Sequence, residues 1–257
     1  MIQDYFKEFG EITLFGAGWK PISLVDIRAK SAFTLWLCGC NLKCPFCHNY
    51  RLADSDPNLC KNVDVERLLK ELDFSTKLVD YFLVTGGEPL LQFRELTKLL
   101  KIVKGCFKLD VAVNSNLTLT HAVKSLLDNS LCDFIVTDLK SPHRQLYGLD
   151  FGDSDSMWES YLESLRIASK RGIKMEVRVP VVRKMDLECF ELEVKEVLNI
   201  LHDSRCEYYF RVNPILGEPF TIPRNILWAS EYCNPSQKEI GRVREVLDKL
   251  GLSNKIV

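Results

Sequence analysis

Cys40, Cys44 and Cys47 stand in a CxxxCxxC spacing within the stretch from Trp36 to Tyr50. Thiolates are soft ligands that suit zinc or iron-sulfur centres, and such a spacing binds metal. Fully extended, the chain from Cys40 to Cys47 spans roughly 25 Å. Gly39 and Pro45 must therefore help to wrap the loop if the sulfurs are to share one centre. Three thiolates are one short of the four that hold an ordinary iron-sulfur cluster or a closed four-cysteine zinc site. His48 as a zinc ligand, Cys38 as a fourth cysteine, or a small molecule on an open iron would each complete the set. Spacing alone does not choose among them.

A second chemical signal is Gly86-Gly87-Glu88-Pro89. Two residues without Cβ let backbone approach a ligand closely, and Pro89 biases Glu88 away from helical torsion. The segment can present acceptors to an ammonium group. By itself it also reads as a plain turn closing a strand.

The elements that must carry these residues follow from hydrophobic pattern. Ser31–Leu37 reads as a buried strand that delivers the cysteine loop at its carboxyl end. Val65, Leu68, Leu69 and Leu72 recur at helical spacing behind Asp64, a candidate cap. Tyr81–Thr85 is a second strand, followed by a helix through Phe93, Leu96, Leu100 and Val103 that Gly105 can stop. The alternation continues with strand Leu109–Val113, a helix around Val123, Leu126 and Leu127, strand Phe134–Thr137, and a helix around Met157, Tyr161 and Leu165. Strand Met175–Val182, a helix with Phe190, Val194, Val197, Leu198 and Leu201, and strand Tyr208–Ile215 complete the series.

Strands alternating with helices imply parallel pairing with right-handed crossovers, hence a βα barrel, closed or partial, or a doubly wound sheet. The stretch 31–215 is shorter than the roughly 250 residues of a complete eightfold barrel. The expected fold class is therefore α/β, a partial, open six-unit βα barrel. The chain is read as a single domain over 1–257, with core 31–215, an N-terminal extension 1–30 and a C-terminal loop and helix 216–257. In the extension, Gly10, Gly16, Gly18 and Pro21 punctuate two short apolar stretches that suggest strands flanking the core. Beyond the core, Gly217, Pro219 and Pro223 suggest an irregular covering loop. Ile240, Val243, Val246, Leu247 and Leu250 mark a terminal amphipathic helix.

In such a fold the chemistry belongs at the carboxyl ends of the strands. Those ends carry the cysteine loop, Gly86-Gly87-Glu88, Asn114-Ser115-Asn116, Asp138 and Lys140, Arg178, and Arg211 with Asn213. They define one polar rim.

Composition narrows the class. With 46% hydrophobic and 27% charged residues and no apolar run near a membrane span, the 257-residue chain is expected to be soluble, with no membrane association. Charges in the first ten residues argue against a signal peptide and for the cytoplasm. There, thiols stay reduced, so the 10 cysteines read as ligands plus buried small apolar side chains. Cys38, Cys60, Cys106, Cys132, Cys189, Cys206 and Cys233 fall in the second group. A net charge of −1 gives no global nucleic-acid footprint, which leaves only a local basic patch for that role.

Taken together, Cys40, Cys44 and Cys47 with Gly86-Gly87-Glu88 resemble the radical S-adenosylmethionine superfamily. The resemblance implies that the three cysteines hold a 4Fe-4S cluster whose fourth iron binds the amino and carboxylate groups of S-adenosyl-L-methionine. Phe46 would border the adenine, and Gly86, Gly87 and Glu88 would meet the methionine ammonium. More narrowly, Ser23–Asp26, Gly39-Cys40-Asn41 and Cys47-His48-Asn49 look like activating enzymes of glycyl radical enzymes, as do Asp138-Leu139-Lys140 and Arg178-Val179-Pro180. These are the activases of anaerobic ribonucleotide reductase and pyruvate formate-lyase. Asn114, Ser115 and Lys140 would line the ribose and carboxylate side, with Arg178 nearby. Asp26-Ile27-Arg28-Ala29 and Asn114-Ser115-Asn116-Leu117 depart from that group's usual Asp-x-Pro-Gly and Asp-Thr-Asn-Gly.

The implied activity is reductive cleavage of S-adenosyl-L-methionine to a 5′-deoxyadenosyl radical, which takes a hydrogen from a glycine of a partner protein. The implied partners are a low-potential electron donor of flavodoxin or ferredoxin type and a glycyl radical enzyme. Modification of a nucleoside, a tRNA or a small metabolite is the alternative, and a noncatalytic zinc or iron-sulfur module is the alternative of another class. His143 reads either as facing the substrate or as a surface loop residue. His121 and His202 read as plain helix residues, and Glu188, Glu191, Glu193 and Glu196 as a solvated helix face.

Overall fold

The computed structural model describes residues 10–202 and 206–256. The expectations for the first nine residues, including the leader reading, fall outside the described residues. Within these limits the chain divides by internal contacts into two compact units, one of residues 10–41, 51–115 and 121–136, the other of residues 42–50, 116–120 and 137–256. Among the described residues no helix is long and apolar enough to cross a membrane.

In chain order the elements are β1 (Phe15–Ile27), β2 (Lys30–Leu37), α1 (Tyr50–Ala53), β3 (Lys61–Asn62), α2 (Val65–Ser75), β4 (Tyr81–Gly86) and α3 (Phe93–Ile102). They continue with β5 (Asp110–Asn114), α4 (Thr120–Asp128), β6 (Phe134–Asp138), α5 (His143–Leu146), α6 (Phe151–Lys170), β7 (Lys174–Val181) and α7 (Leu187–His202). The last are β8 (Tyr208–Pro214), α8 (Ile226–Tyr232) and α9 (Gln237–Lys249). The strands form one sheet in the order β3-β1-β2-β4-β5-β6-β7-β8, an open arrangement with β3 and β8 at its edges. The pairs β2–β4, β4–β5, β5–β6 and β7–β8 are parallel. This is the α/β, open βα class expected from the sequence, with β2 and β4–β8 matching the six expected strands.

In the first unit, β2 and β4 are buried along nearly their whole length, and the Phe33 and Phe82 rings stack at 5.7 Å. Apolar, β-branched and aromatic residues in unbroken runs suit strands covered on both faces. Asp64 caps α2 by accepting from the Arg67 amide, and Val65, Leu68, Leu69 and Leu72 are its buried stripe, as expected. The extension differs from expectation. Instead of two short stretches, β1 runs through Gly16, Gly18 and Pro21 as one strand, antiparallel to β2. Proline is tolerated there because the register shifts between Lys20 and Ser23, where a ladder donor is not needed. Gly105 does not stop α3. The chain passes through a wide helical turn, Val103–Phe107, and leaves it at Lys108, which is left-handed with φ 54°.

In the second unit, alternate residues of β7 and β8 face opposite sides. Met175, Val177 and Val179 pair in register with Tyr208, Phe210 and Val212, and all are buried. Glu176, Arg178 and Pro180 pair with Tyr209, Arg211 and Asn213 on the other face. Ile256 adds a parallel bridge to Phe210. Helix α9 opens with a capping box between Ser236 and Glu239 and buries Ile240, Val243, Val246 and Leu247, as its periodicity suggests. The covering loop is followed by a helix, α8, that the sequence analysis did not anticipate.

Candidate functional site

The first unit holds Cys40, Gly86, Gly87, Glu88, Asn114 and Ser115. β2 runs out through Leu37 and Cys38 into Gly39, which takes φ +91°, a conformation glycine adopts freely. The Gly87 amide donates to the Leu37 carbonyl at 2.9 Å, and the Glu88 amide to the Gly39 carbonyl at 2.7 Å. A Cβ at Gly86 would lie 2.0 Å from the Leu37 oxygen, and one at Gly87 2.1 Å from the Gly39 oxygen. The space left by the missing side chains is thus taken by the backbone that leads into Cys40.

Glu88 is 0% exposed. A buried carboxylate needs partners. Its Oε1 accepts from the Leu90 amide at 3.0 Å, closing the turn Pro89–Gln92, and from Ser115 Oγ at 2.9 Å. Asn114 Nδ2 donates to Thr85 Oγ1 at 3.1 Å. Gln92, a residue the sequence reading passed over, donates from Nε2 to the carbonyls of Phe15 and Cys38 and accepts the Phe15 amide. It ties the approach to Cys40 onto β1.

Cys38 and Cys60 form a disulfide, with Cα atoms 6.2 Å apart. This corrects the expectation that every cysteine outside the triad is a reduced core side chain. Both are buried, as expected. Their meeting is made by β1: the Cys38 amide donates to the Phe15 carbonyl, while β3, just after Cys60, pairs with Phe15 and Gly16. With its sulfur paired, Cys38 is removed as a fourth ligand. Cys40, Cys44 and Cys47 are in no disulfide.

The second unit holds Cys44, Phe46, Cys47, Lys140 and Arg178. The Cys47 amide donates to the Cys44 carbonyl at 3.2 Å, so the loop turns at Pro45. Two neighbours grip it. The Lys43 amide donates to the Tyr147 carbonyl at 3.0 Å, where a Cβ on Gly148 would collide with the Lys43 oxygen at 2.1 Å. From the covering loop, the amides of Arg224 and Asn225 donate to the carbonyls of Cys47 and Pro45 at 3.1 and 3.0 Å. Phe46 is buried with its ring 6.2 Å from that of Trp228 on α8. His48 is exposed, with Nε2 2.9 Å from the Leu216 carbonyl.

Burial pushes the Cys47 thiol above its ordinary range, against the pull of the Asn49 backbone and of the Arg224 and Lys140 charges. The Arg224 side chain also hydrogen-bonds this thiol. Lys140 Nζ lies 3.0 Å from Asp138 Oδ2. Burial pushes the Asp138 carboxyl up, but the Lys140 and Arg178 cations outweigh it, and the group ends below the usual carboxylate range. Arg178 Nε donates to Glu176 Oε1 at 2.7 Å.

His143 is neither of the alternatives read from the sequence. It is buried in α5, with Nδ1 2.7 Å from Glu193 Oε1 and Nε2 2.8 Å from Asp155 Oδ1, and it stacks on Trp158 at 5.2 Å. Burial lowers its pKa, but hydrogen bonds to Glu193 and Asp155 raise it more, and the net shift is upward. Glu193 is therefore a buried partner and Glu196 accepts from Trp158 Nε1, so the acidic face of α7 is not simply solvated. No three His, Cys, Asp or Glu side chains are gathered to hold a metal ion among the described residues. The expectation that Cys40, Cys44 and Cys47 bind metal thus rests on their spacing and on their lying outside the disulfide.

The family model of the Radical SAM superfamily matches residues 35–197. A Methanocaldococcus jannaschii protein named as a glycyl-radical enzyme activating enzyme is 24% identical over 197 residues, 75% of this chain and 77% of that protein. Among solved structures, a radical SAM methyltransferase from Sphaerobacter thermophilus superposes with a TM-score of 0.59 at 13% identity, over 90% of this chain and 66% of that one. The structure described as native anSMEcpe with bound AdoMet gives 0.53 at 16% identity, over 85% of this chain and 60% of that one. These likenesses are of fold, and the chain spans about two thirds or less of either structure.

Proposed function

This chain belongs to the Radical SAM superfamily and is an enzyme of radical SAM type, and from that premise we propose that it activates a glycyl radical enzyme by taking a hydrogen from a glycine of that partner. The residues fit the cofactors this requires. Cys40, Cys44 and Cys47 are in no disulfide, whereas the neighbouring Cys38 is paired with Cys60, and these three would hold a 4Fe-4S cluster. The cluster, with S-adenosyl-L-methionine bound, supplies reductive cleavage of the sulfonium to methionine and a 5′-deoxyadenosyl radical.

The chain's own residues hold and shield. Glu88, oriented by the Leu90 amide and Ser115, would accept from the methionine ammonium, with Gly86 and Gly87 fixing its backbone. Lys140, Asn114 and Ser115 would face the ribose and carboxylate, with Arg178 nearby. Phe46, backed by Trp228, would border the adenine and help keep water from the radical. The electron comes from an external low-potential donor of flavodoxin or ferredoxin type.

The observation that carries the reading is the clamp of Gly87 and Glu88 on Leu37 and Gly39, which couples the acceptor segment to the strand delivering the first cysteine. The named Methanocaldococcus jannaschii relative supports the narrower choice of substrate. The test is anaerobic incubation of reconstituted protein with reductant, S-adenosyl-L-methionine and candidate glycyl radical enzymes. A glycine-centred radical in the paramagnetic resonance spectrum, with 5′-deoxyadenosine formed, is the expected result. Colourless protein holding one tight zinc would overturn the whole reading. Deoxyadenosine formed without any glycyl radical would turn it to a nucleoside or metabolite substrate.

A further inference from the structure

We propose that Arg211 on β8 binds an oxyanion of the substrate, a carboxylate or a phosphate. The argument begins with register. Arg178 and Arg211 are direct partners across the parallel pair β7–β8, so two guanidinium groups start from backbones about 4.8 Å apart on one face. Like charges so placed repel unless an anion lies between them. Glu176 is on the same face, is 0% exposed, and is in register with Tyr209.

A buried carboxylate is tolerable only when its oxygens are satisfied, and those of Glu176 are. Oε1 accepts from Arg178 Nε at 2.7 Å, and Oε2 from the Tyr209 hydroxyl at 2.6 Å. Glu176 is thereby committed to Arg178. Arg211 Nη1 lies 3.6 Å from Glu176 Oε1, beyond hydrogen-bond reach. Its side chain is 39% exposed, so it is accessible from solvent yet held against the pair. Asn213 lies on the same face nearer the carboxyl end of β8, where this fold class places its chemistry. A planar fork of donors in such a position suits bidentate recognition of a carboxylate or phosphate. Arg178 is the arginine expected from the sequence at the cofactor. Arg211 is the one left to the substrate.

This extends the proposed function without resting on turnover, and the experiment reads binding directly. Protein labelled in arginine with ¹⁵N, kept under argon, is titrated with inorganic phosphate and with N-acetylglycine, with sodium chloride at matched ionic strength as control. The Arg211 Nε–H signal is identified by its loss in Arg211→Lys. A saturable shift of that signal with either oxyanion and none with chloride is expected, and the anion that acts tells phosphate from carboxylate. Arg211→Gln should weaken the binding at least roughly tenfold, as expected for a hydrogen bond to a charged group. A shift that chloride reproduces, or equal affinity in Arg211→Gln, overturns the site. If Arg211→Gln instead weakens calorimetric binding of S-adenosyl-L-methionine to reconstituted protein by the same factor, Arg211 serves the cofactor and the assignment to substrate falls. Loss of radical chemistry in the proposed function would leave the anion titration unchanged.

Discussion

Replacing Gly87 by alanine tests the clamp at its tightest point. The new Cβ would stand 2.1 Å from the Gly39 oxygen, 2.8 Å from its carbonyl carbon and 3.3 Å from Ala53 Cα. All three are backbone atoms, so no rotamer change relieves the contact. Gly87 is not left-handed, and the strain is collision rather than torsion. Overpacking of this kind costs roughly 1–3 kcal/mol. Separating the segments also loosens two backbone hydrogen bonds, Gly87 to Leu37 and Glu88 to Gly39, at about 1 kcal/mol each. The expected loss is thus roughly 3–5 kcal/mol, a large part of the 5–15 kcal/mol of a typical fold. It should be read by urea unfolding of metal-free protein under argon, with iron per chain after reconstitution falling in parallel. Gly241→Ala is the control. That glycine lies within α9 with nothing within 4 Å of an added Cβ, so alanine should stabilise by about 0.5–1 kcal/mol. If Gly87→Ala lies within about 0.5 kcal/mol of wild type and loads iron normally, the clamp is not what positions Cys40.

Glu88→Gln should keep its iron, because glutamine still offers an oxygen to Leu90 and Ser115, yet bind S-adenosyl-L-methionine roughly 10- to 150-fold more weakly by calorimetry under argon; unchanged affinity refutes the ammonium role. Glu188→Gln, at an exposed position in the first turn of α7, is the control and should leave this affinity unchanged. Alanine at Cys40, Cys44 or Cys47 should abolish iron loading, whereas Cys38→Ala should load iron normally and, without reductant, lose about 3 kcal/mol of stability through opening the Cys38–Cys60 loop. Dithiothreitol should erase that difference, and bleaching of Cys38→Ala would mean the triad is misassigned. For His143 the folded pKa is raised above the ordinary 6.5, so its contribution is full below pH 6.5 and fades as pH rises through the folded value. Urea stabilities of wild type and His143→Gln should therefore converge with increasing pH, and a constant gap would show that the imidazolium does not carry the interaction.

What the sequence made legible was set by burial. Runs of apolar, β-branched and aromatic residues such as Phe33–Leu37 and Phe82–Thr85 have one strand reading, and the polar residues that follow them mark the rim without any contact being known. The continuation of β1 through Pro21 was hidden because a register shift, invisible in composition, removes the need for the missing donor. The Cys38–Cys60 pairing was hidden because a third segment, Phe15–Gly16, brings the two together. Glu193 could have been found. It lies three residues after Phe190 and four before Val197, on the apolar stripe of α7, and a carboxylate on a buried face asks for a partner, here His143. At Gly86 and Gly87 no local pattern reveals that the carbonyls of Leu37 and Gly39 fill the space a Cβ would need.

The contact between Gly39 and Glu88 also constrains the order of folding. Leu37 to Gly39 and Gly86 to Glu88 are neighbours in space but distant in sequence, joined by a long crossover through α2. Closing that loop must precede the bonds it permits, so the backbone ahead of Cys40 cannot take its final course until β4 has docked on β2. Metal presented during synthesis would then meet an unshaped ligand loop until the first two parallel strands have paired. Pulse-labelled hydrogen exchange gives this a signature: the Gly87 and Glu88 amides should become protected together with those of β4, and no later than iron uptake.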